Sequence, residues 1–140
     1  QDLIDLYQEL GKEYNLPVVI SKKLIAYTGE SPSAFKLPEK GCWESIYMGS
    51  FDEFSNRGLA HFYDRVLDNL SEGISLLLIH PALKSAEMEQ ITVDHPNFGD
   101  QWRAEDAAYF TSKHCANKLR ENSIELIDFR HPELLSFLDA

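Results

Sequence analysis

The chain has 140 residues, of which 44% are hydrophobic and 26% are charged. This composition is typical of a folded globular protein and argues against disorder. The formal net charge of −10 disfavours nucleic acid and membrane surfaces as partners, because anionic partners bind basic surfaces. A neutral ligand such as a sugar is compatible with this charge. The longest apolar run, residues 74–79, is too short to span a bilayer, and the sequence contains no recognisable signal peptide.

The two cysteines, Cys42 and Cys115, lie far apart and form no CxxC pattern. We predict two free, partly buried thiols in a reducing compartment, although a disulfide between them remains an alternative. Nothing in the sequence points outside the cytoplasm, so a cytoplasmic location is expected.

Helical and strand patterns alternate along the first half of the chain. Apolar residues at helical spacing predict a helix over residues 2–14, and the β-branched run at 16–20 predicts a short strand. Residues 28–41 have loop composition, and 45–48 form a candidate strand. The helical period returns from Phe51 onward. The apolar stripe of that helix consists of Leu59, Phe62, Tyr63, Val66, Leu67 and Leu70.

The second half continues the alternation. Residues 73–80 are apolar on both faces, as buried parallel strands are, and a long polar loop follows over 81–101. A helix over about 105–121, a strand over 124–129 and a short helix opening at His131-Pro132 complete the pattern. The sequence therefore predicts an α/β fold with parallel strands.

His80 is the residue at the end of a predicted strand that is best suited to catalysis. Parallel α/β folds place their functional sites at the carboxyl ends of strands, and Pro81 holds His80 in an extended conformation there. From spacing alone, a catalytic histidine and a structural histidine at a strand end are equally supported.

The long loop after His80 leads to three candidate ligand-binding residues. Connections of about twenty residues tend to be functional, because most strand-to-helix loops have two to six residues. Trp102 suits the apolar face of a sugar ring, although packing inside the fold is an alternative, and Arg103 can hold a carboxylate through two hydrogen bonds. Asp106 is predicted at a helix start, where carboxylates more often serve the backbone than a substrate.

The remaining histidines give weaker signals. Asp94-His95 resembles a metal-binding fragment only superficially, and we expect a solvated loop histidine there. His61, His114 and His131 are predicted to be surface or capping residues. The sequence contains no HExxH, glycine-rich phosphate loop, GxSxG or paired-cysteine zinc motif.

Several segments in a fixed order resemble the YdjC-like (chitooligosaccharide deacetylase) family of carbohydrate deacetylases. The order and spacing of the segments are more specific than any one of them, and they cover most of the chain, more loosely between Thr28 and Leu70. The matching segments are Tyr14-Asn15-Leu16-Pro17-Val18, Glu72-Gly73-Ile74-Ser75, Leu78-Ile79-His80-Pro81-Ala82, Trp102-Arg103-Ala104-Glu105-Asp106, Thr111-Ser112 and Ile124-Glu125-Leu126-Ile127.

The resemblance implies the C-terminal part of a distorted (β/α) barrel that removes acetyl groups from N-acetylated mono- or oligosaccharides. In that family a divalent metal ion (Mg or Zn) activates water, and its aspartate and histidine ligands have no counterpart in this sequence. The resemblance assigns His80 as the acid that protonates the departing amine. It implies that Arg103 orients the catalytic carboxylate or the substrate, and that Trp102 and Asp106 shape the pocket.

On this basis we expect residues 1–140 to be a single partial domain that lacks the metal-binding half and is inactive alone. A homodimer is one expected assembly. Two alternatives stay open: a metal-dependent phosphoesterase, which would need more cationic residues near His80 than Arg103, and a non-catalytic α/β module that binds a carbohydrate or a partner chain.

Overall fold

A computed structural model describes residues 2–15, 18–38, 42–95 and 97–139, and within these ranges the fold is mixed α/β but mostly helical. Two short strands, β1 (Ile46–Met48) and β2 (Leu76–Leu78), pair in parallel. Pro32–Ala34 forms a 3-10 turn. The helices are α1 (Asp2–Tyr14), α2 (Lys22–Tyr27), α3 (Phe51–Arg57), α4 (Leu59–Asp68), α5 (Ala86–Ile91), α6 (Asp100–Phe110), α7 (Lys113–Glu121) and α8 (Pro132–Asp139).

The chain divides into two compact units. The first unit comprises Gln1–Ile46, Ile74–Leu76 and Leu126–Ala140, and the second comprises Tyr47–Gly73 and Leu77–Glu125. The predicted α/β class is confirmed at this coarse level. The barrel and the single partial domain stay predictions.

In the first unit, α1 has the predicted bounds, but its apolar stripe is not buried. Leu3 and Tyr14 are 66% and 63% exposed, and Leu6, Tyr7 and Leu10 are also exposed. By contrast, the segment around α2 is well anchored, because the buried Ser21 caps that helix by accepting a hydrogen bond from Lys23 N.

The predicted strand over residues 16–20 is reduced to a single bridge. Leu16 and Pro17 lie outside the described residues, Val18 and Val19 are irregular, and Ile20 forms an isolated parallel bridge with Cys42. The backbone of Trp43 donates to Ile20 O at 2.8 Å, so this short pairing still closes the loop that the sequence predicts after residue 28.

The core of the second unit forms where α4 packs against α6 and α7. The predicted stripe is confirmed, because Leu59, Phe62, Tyr63, Val66 and Leu67 are all at most 7% exposed and Leu70 packs against them. Burial of large apolar side chains of this kind is the main stabilising contribution to a domain.

Both long helices predicted for the second unit are broken. The helix from Phe51 onward divides into α3 and α4 at Gly58, whose φ of +77° is accessible to glycine but strained for other residues. The helix predicted over 105–121 begins earlier, at Asp100, and divides at Thr111. Ser112 then caps α7 by accepting a hydrogen bond from Cys115 N.

Two further expectations are wrong. The loop over 81–101 contains α5, which Ser85 caps through Met88 N. Residues 124–129 form no strand and are irregular with a turn, although Ile124 packs against the core. A β-branched run becomes a strand only where a neighbouring strand pairs with it, and the structure shows none at this position.

The two thiols are free, as predicted. Cys42 is half-buried, whereas Cys115 is 3% exposed, and burial raises the pKa of its thiol. Across the described ranges, every helix is too short or too polar to cross a membrane.

Candidate functional site

His80 lies two residues after β2, so the structure places it at the carboxyl end of a strand as predicted. Its main-chain N–H donates a hydrogen bond to Asp106 Oδ2 at 2.7 Å. The half-buried imidazole packs against the ring of Phe98, with 4.4 Å between the ring centroids. The main chain of His80 is therefore held by a buried carboxylate, and its ring packs on an aromatic side chain.

Asp106 lies in the middle of α6 and is completely buried, so its predicted position at a helix start is wrong. Its Oδ1 accepts a hydrogen bond from the Tyr63 hydroxyl, and its Oδ2 accepts the one from His80 N. A buried carboxylate is stable only when hydrogen bonds replace its hydration. In this conformation Asp106 lies inside the protein and holds the backbone of His80.

Trp102 is also buried, with 1% of its surface exposed, so its indole packs inside the protein, and its contact with a sugar ring stays a prediction. Its indole packs against Phe98 and Phe54, at ring centroid distances of 4.8 and 5.4 Å. Gly49 permits this packing, since an added Cβ would lie 3.0 Å from Trp102 Cζ2. Trp102 therefore supports Phe98, the residue that contacts His80.

Arg103 lies in α6, is half-buried, and its side chain is held by the loop before the helix. Its Nε donates to Phe98 O at 2.7 Å, and its main-chain oxygen accepts from Ala82 N at 3.1 Å. It forms no ion pair with any residue that the structure describes. The guanidinium thus keeps donors that a ligand can use.

Arg103 lines a cavity of about 350 Å³, which lies at the lower end of the range for small-molecule sites. Both polar and apolar side chains line this cavity. The other lining residues are Met88, Ile91, Thr92, His95, Asn97 and Phe98. The sequence analysis treated His95 as a solvated loop residue, and it missed Met88 and Ile91 because α5 was not predicted.

The electrostatic environment favours a neutral His80. Burial lowers the pKa of the imidazole, the positive charge of Arg103 lowers it further, and Asp106 partly opposes both effects. The ordinary pKa of histidine is about 6.5, so His80 is mostly uncharged at neutral pH. When it does bind a proton, it releases that proton more readily than a solvated histidine.

Tyr63 is a participant that the sequence analysis placed only in the apolar stripe. Burial and the hydrogen bond to Asp106 raise its pKa far above the ordinary value, so it remains a neutral phenol and a hydrogen-bond donor. The only sequence signal was a hydroxyl within an otherwise apolar helical face. Its partner lies 43 residues away, which local patterns do not reveal.

The remaining predicted residues lie apart from this cluster. His61 is exposed beside Arg57, with 3.2 Å between Arg57 Nη1 and His61 Nε2. His114 is exposed and pairs with Asp64 at 2.6 Å, and His131 is half-buried. Asp94 is exposed.

The described part of the chain contains no group of three or more His, Cys, Asp or Glu that could hold a metal ion. Asp106 is close to His80, but both of its oxygens already accept hydrogen bonds from protein donors. The donor set around His80 therefore does not fit a metal site.

A protein-family model matches most of the chain. A family model described as YdjC-like protein matches residues 1–121, which include His80, Tyr63 and α6 with its buried carboxylate. No curated protein matches the chain.

Proposed function

The chain belongs to the YdjC-like protein family, a family related to carbohydrate deacetylases, and from this premise we propose that it serves the hydrolysis of the acetamide group of N-acetylated sugars. The observation that carries this proposal is the placement of His80. It is a half-buried imidazole after a strand, and it packs on Phe98, which lines a small cavity together with Arg103.

We assign His80 the role of proton donor to the departing amine. Cleavage of an amide releases a strongly basic nitrogen, so a positioned acid lowers the barrier. The lowered pKa of His80 supports this role, because its imidazolium is a stronger acid than that of a solvated histidine. An imidazole can both release and take up a proton near neutral pH, whereas lysine and arginine hold their protons too tightly to release them.

The cavity next to Arg103 is suited to part of a sugar. Met88 and Phe98 offer apolar surface to the C–H face of a pyranose, while Asn97 and the free guanidinium donors of Arg103 can bind hydroxyl or carbonyl oxygens. In this proposal Arg103 is the substrate-binding residue. Trp102 and Asp106 hold Phe98 and His80 in place from the interior.

The family is generally metal-dependent, but the described residues do not fit a metal site, so no step is assigned to a metal here. We propose that the divalent ion is bound by residues other than those of this chain, and that these 140 residues form one wall of a larger barrel-like active site. The free thiols support a cytoplasmic location, and a homodimer is the assembly we propose.

The direct test is acetate release from N-acetylated chitooligosaccharides by the complete gene product and by its His80→Gln variant. We expect a loss of turnover of at least about 100-fold, the usual scale for removing a general acid. The matched control is His61→Gln, because His61 is exposed on α4 and its side chain pairs with Arg57, away from His80. Full activity of His80→Gln would refute the assignment, provided that both variants have the unfolding midpoint of the wild type.

A non-catalytic binding module is the second candidate, and the absence of a metal-ligand cluster from the described residues is the observation that favours it. Such a module would bind N-acetylated oligosaccharides or a partner chain without releasing acetate. Isothermal titration with chitobiose, run beside the acetate assay, separates the two functions. Binding without turnover by the complete gene product would favour the module.

A further inference from the structure

One buried carboxylate connects three separate segments of the second unit. Asp106 in α6 accepts hydrogen bonds from the hydroxyl of Tyr63 in α4 and from the main-chain N–H of His80 after β2. The donors are 43 and 26 residues distant in sequence, and Tyr63 and Asp106 are 1% and 0% exposed. Both carboxylate oxygens are therefore committed to named donors inside the protein.

The contact with His80 fixes the backbone and not the imidazole. A hydrogen bond to a charged acceptor is stronger and more directional than one between neutral groups. Because it is made at residue 80 itself, it determines where Cα and Cβ lie, and so where the ring leaves the backbone. The ring then packs on Phe98 at 4.4 Å.

Tyr63 in turn fixes the carboxylate. If its hydroxyl were absent, Oδ1 would be buried without a donor, and the carboxylate would rotate or draw in water to recover one. Either change alters Oδ2, which holds His80 N. The aromatic neighbours Tyr109 and Phe110 lie 5.0 and 4.7 Å from the Tyr63 ring and keep the phenol itself from moving.

We propose that Tyr63 and Asp106 are positioning residues for His80: the phenol orients the carboxylate, and the carboxylate holds the backbone that aims the imidazole at the substrate. The proposal rests on the function proposed above for His80. It assigns Tyr63 a role in deacetylation without any contact between Tyr63 and the sugar.

The chain offers a matched control for a purely structural role. Tyr109 is also buried, at 5% exposure, and its hydroxyl also donates to a carboxylate, Asp64 Oδ1, at 2.8 Å. Asp64 contacts His114 and has no hydrogen bond to His80. Tyr63→Phe and Tyr109→Phe therefore remove the same kind of bond from the same core, and only the first affects His80.

The first measurement is steady-state deacetylation by the complete gene product. We expect Tyr63→Phe to lower kcat about tenfold and to leave KM within about twofold, since a misplaced acid slows the chemistry and leaves sugar binding intact. Tyr109→Phe should stay within about twofold of the wild type in both constants. The proposal would be overturned if the two variants lost the same fraction of kcat, or if each loss of kcat simply followed the drop in that variant's unfolding midpoint.

The second measurement does not depend on activity. In the 140-residue chain, the amide of His80 should exchange with deuterium at least about tenfold faster in Tyr63→Phe than in Tyr109→Phe. Only the Tyr63→Phe substitution loosens the Asp106 carboxylate, which accepts the hydrogen bond of that amide.

Asp106→Asn completes the series. The carboxamide can accept from His80 N and donate to the Tyr63 oxygen, so the contact survives while the charge is lost. The His80 pKa should then fall, since Asp106 raises it.

The outcomes separate this proposal from the proposed function. If His80→Gln retains turnover, His80 is not the acid, and the function assigned to it fails whatever the exchange rates are. If His80→Gln is inactive but Tyr63→Phe has the kcat and the His80 exchange rate of Tyr109→Phe, the positioning role alone fails.

Discussion

Replacing Asp106 with alanine tests how much of the second unit depends on one carboxylate. The substitution leaves the buried Tyr63 hydroxyl and the part-buried His80 N–H without their acceptor. An unsatisfied buried polar group costs about 1–3 kcal/mol and a part-buried one costs less, so the expected loss in the free energy of unfolding is about 2–4 kcal/mol. That is a large fraction of the roughly 5–15 kcal/mol that stabilises an ordinary domain.

Urea unfolding of the 140-residue chain, followed by tryptophan fluorescence, measures this loss, because Trp102 lies one turn away on the same helix. Asp100→Ala is the matched control. It removes the same atoms from α6, but Asp100 lies at the first turn and its ion pair with Lys84, at 3.6 Å, is partly exposed to solvent. We expect Asp100→Ala to lower the free energy of unfolding by about 1 kcal/mol. A loss below about 1 kcal/mol for Asp106→Ala would refute the reasoning.

Two further predictions concern Arg103, whose charge acts on His80, and Gly49, which packs against Trp102. Arg103→Gln removes a positive charge that lowers the His80 pKa, so that pKa should rise in an NMR titration. If protonated His80 is the acid, the fall in turnover at high pH should shift upward with it, and an unchanged pKa would contradict the electrostatic argument. Gly49→Ala would place a Cβ 2.9 Å from Leu59 Cδ2 and 3.0 Å from Trp102 Cζ2. Such overpacking should lower the free energy of unfolding, measured in urea, by about 1–3 kcal/mol. An unchanged free energy would show that the Leu59 and Trp102 side chains can move apart.

Periodicity predicted the elements whose signal is local. The bounds of α1, the buried stripe of α4 and the position of His80 after a strand all follow from residue patterns within one segment. An apolar residue every three or four positions is sufficient to define a helix and its face. The start of α8 at Pro132 was predicted for a similar reason, since proline is favoured in the first turn.

Periodicity did not predict the interruptions, because an apolar stripe can continue across a break. Gly58 separates α3 from α4 through its backbone conformation, and Ser112 starts α7 with a side-chain cap.

The candidate site also required long-range information. Trp102 and Asp106 lie on α6 facing the core, and a helix start misplaced by five residues made both seem available to a ligand. The contact that defines the site joins residues 26 positions apart.

The buried thiol of Cys115 gives the second unit a built-in reporter. A maleimide or iodoacetamide reacts with the thiolate, and here the thiol is both covered and harder to ionise. Alkylation must therefore wait until α7 separates from α4 and α6. The half-buried Cys42 in the first unit is more accessible and labels first. Mass spectrometry of the two labelled peptides over time would thus measure how often the second unit opens, with the Cys42 peptide as the reference for an accessible thiol, without any substitution in the protein.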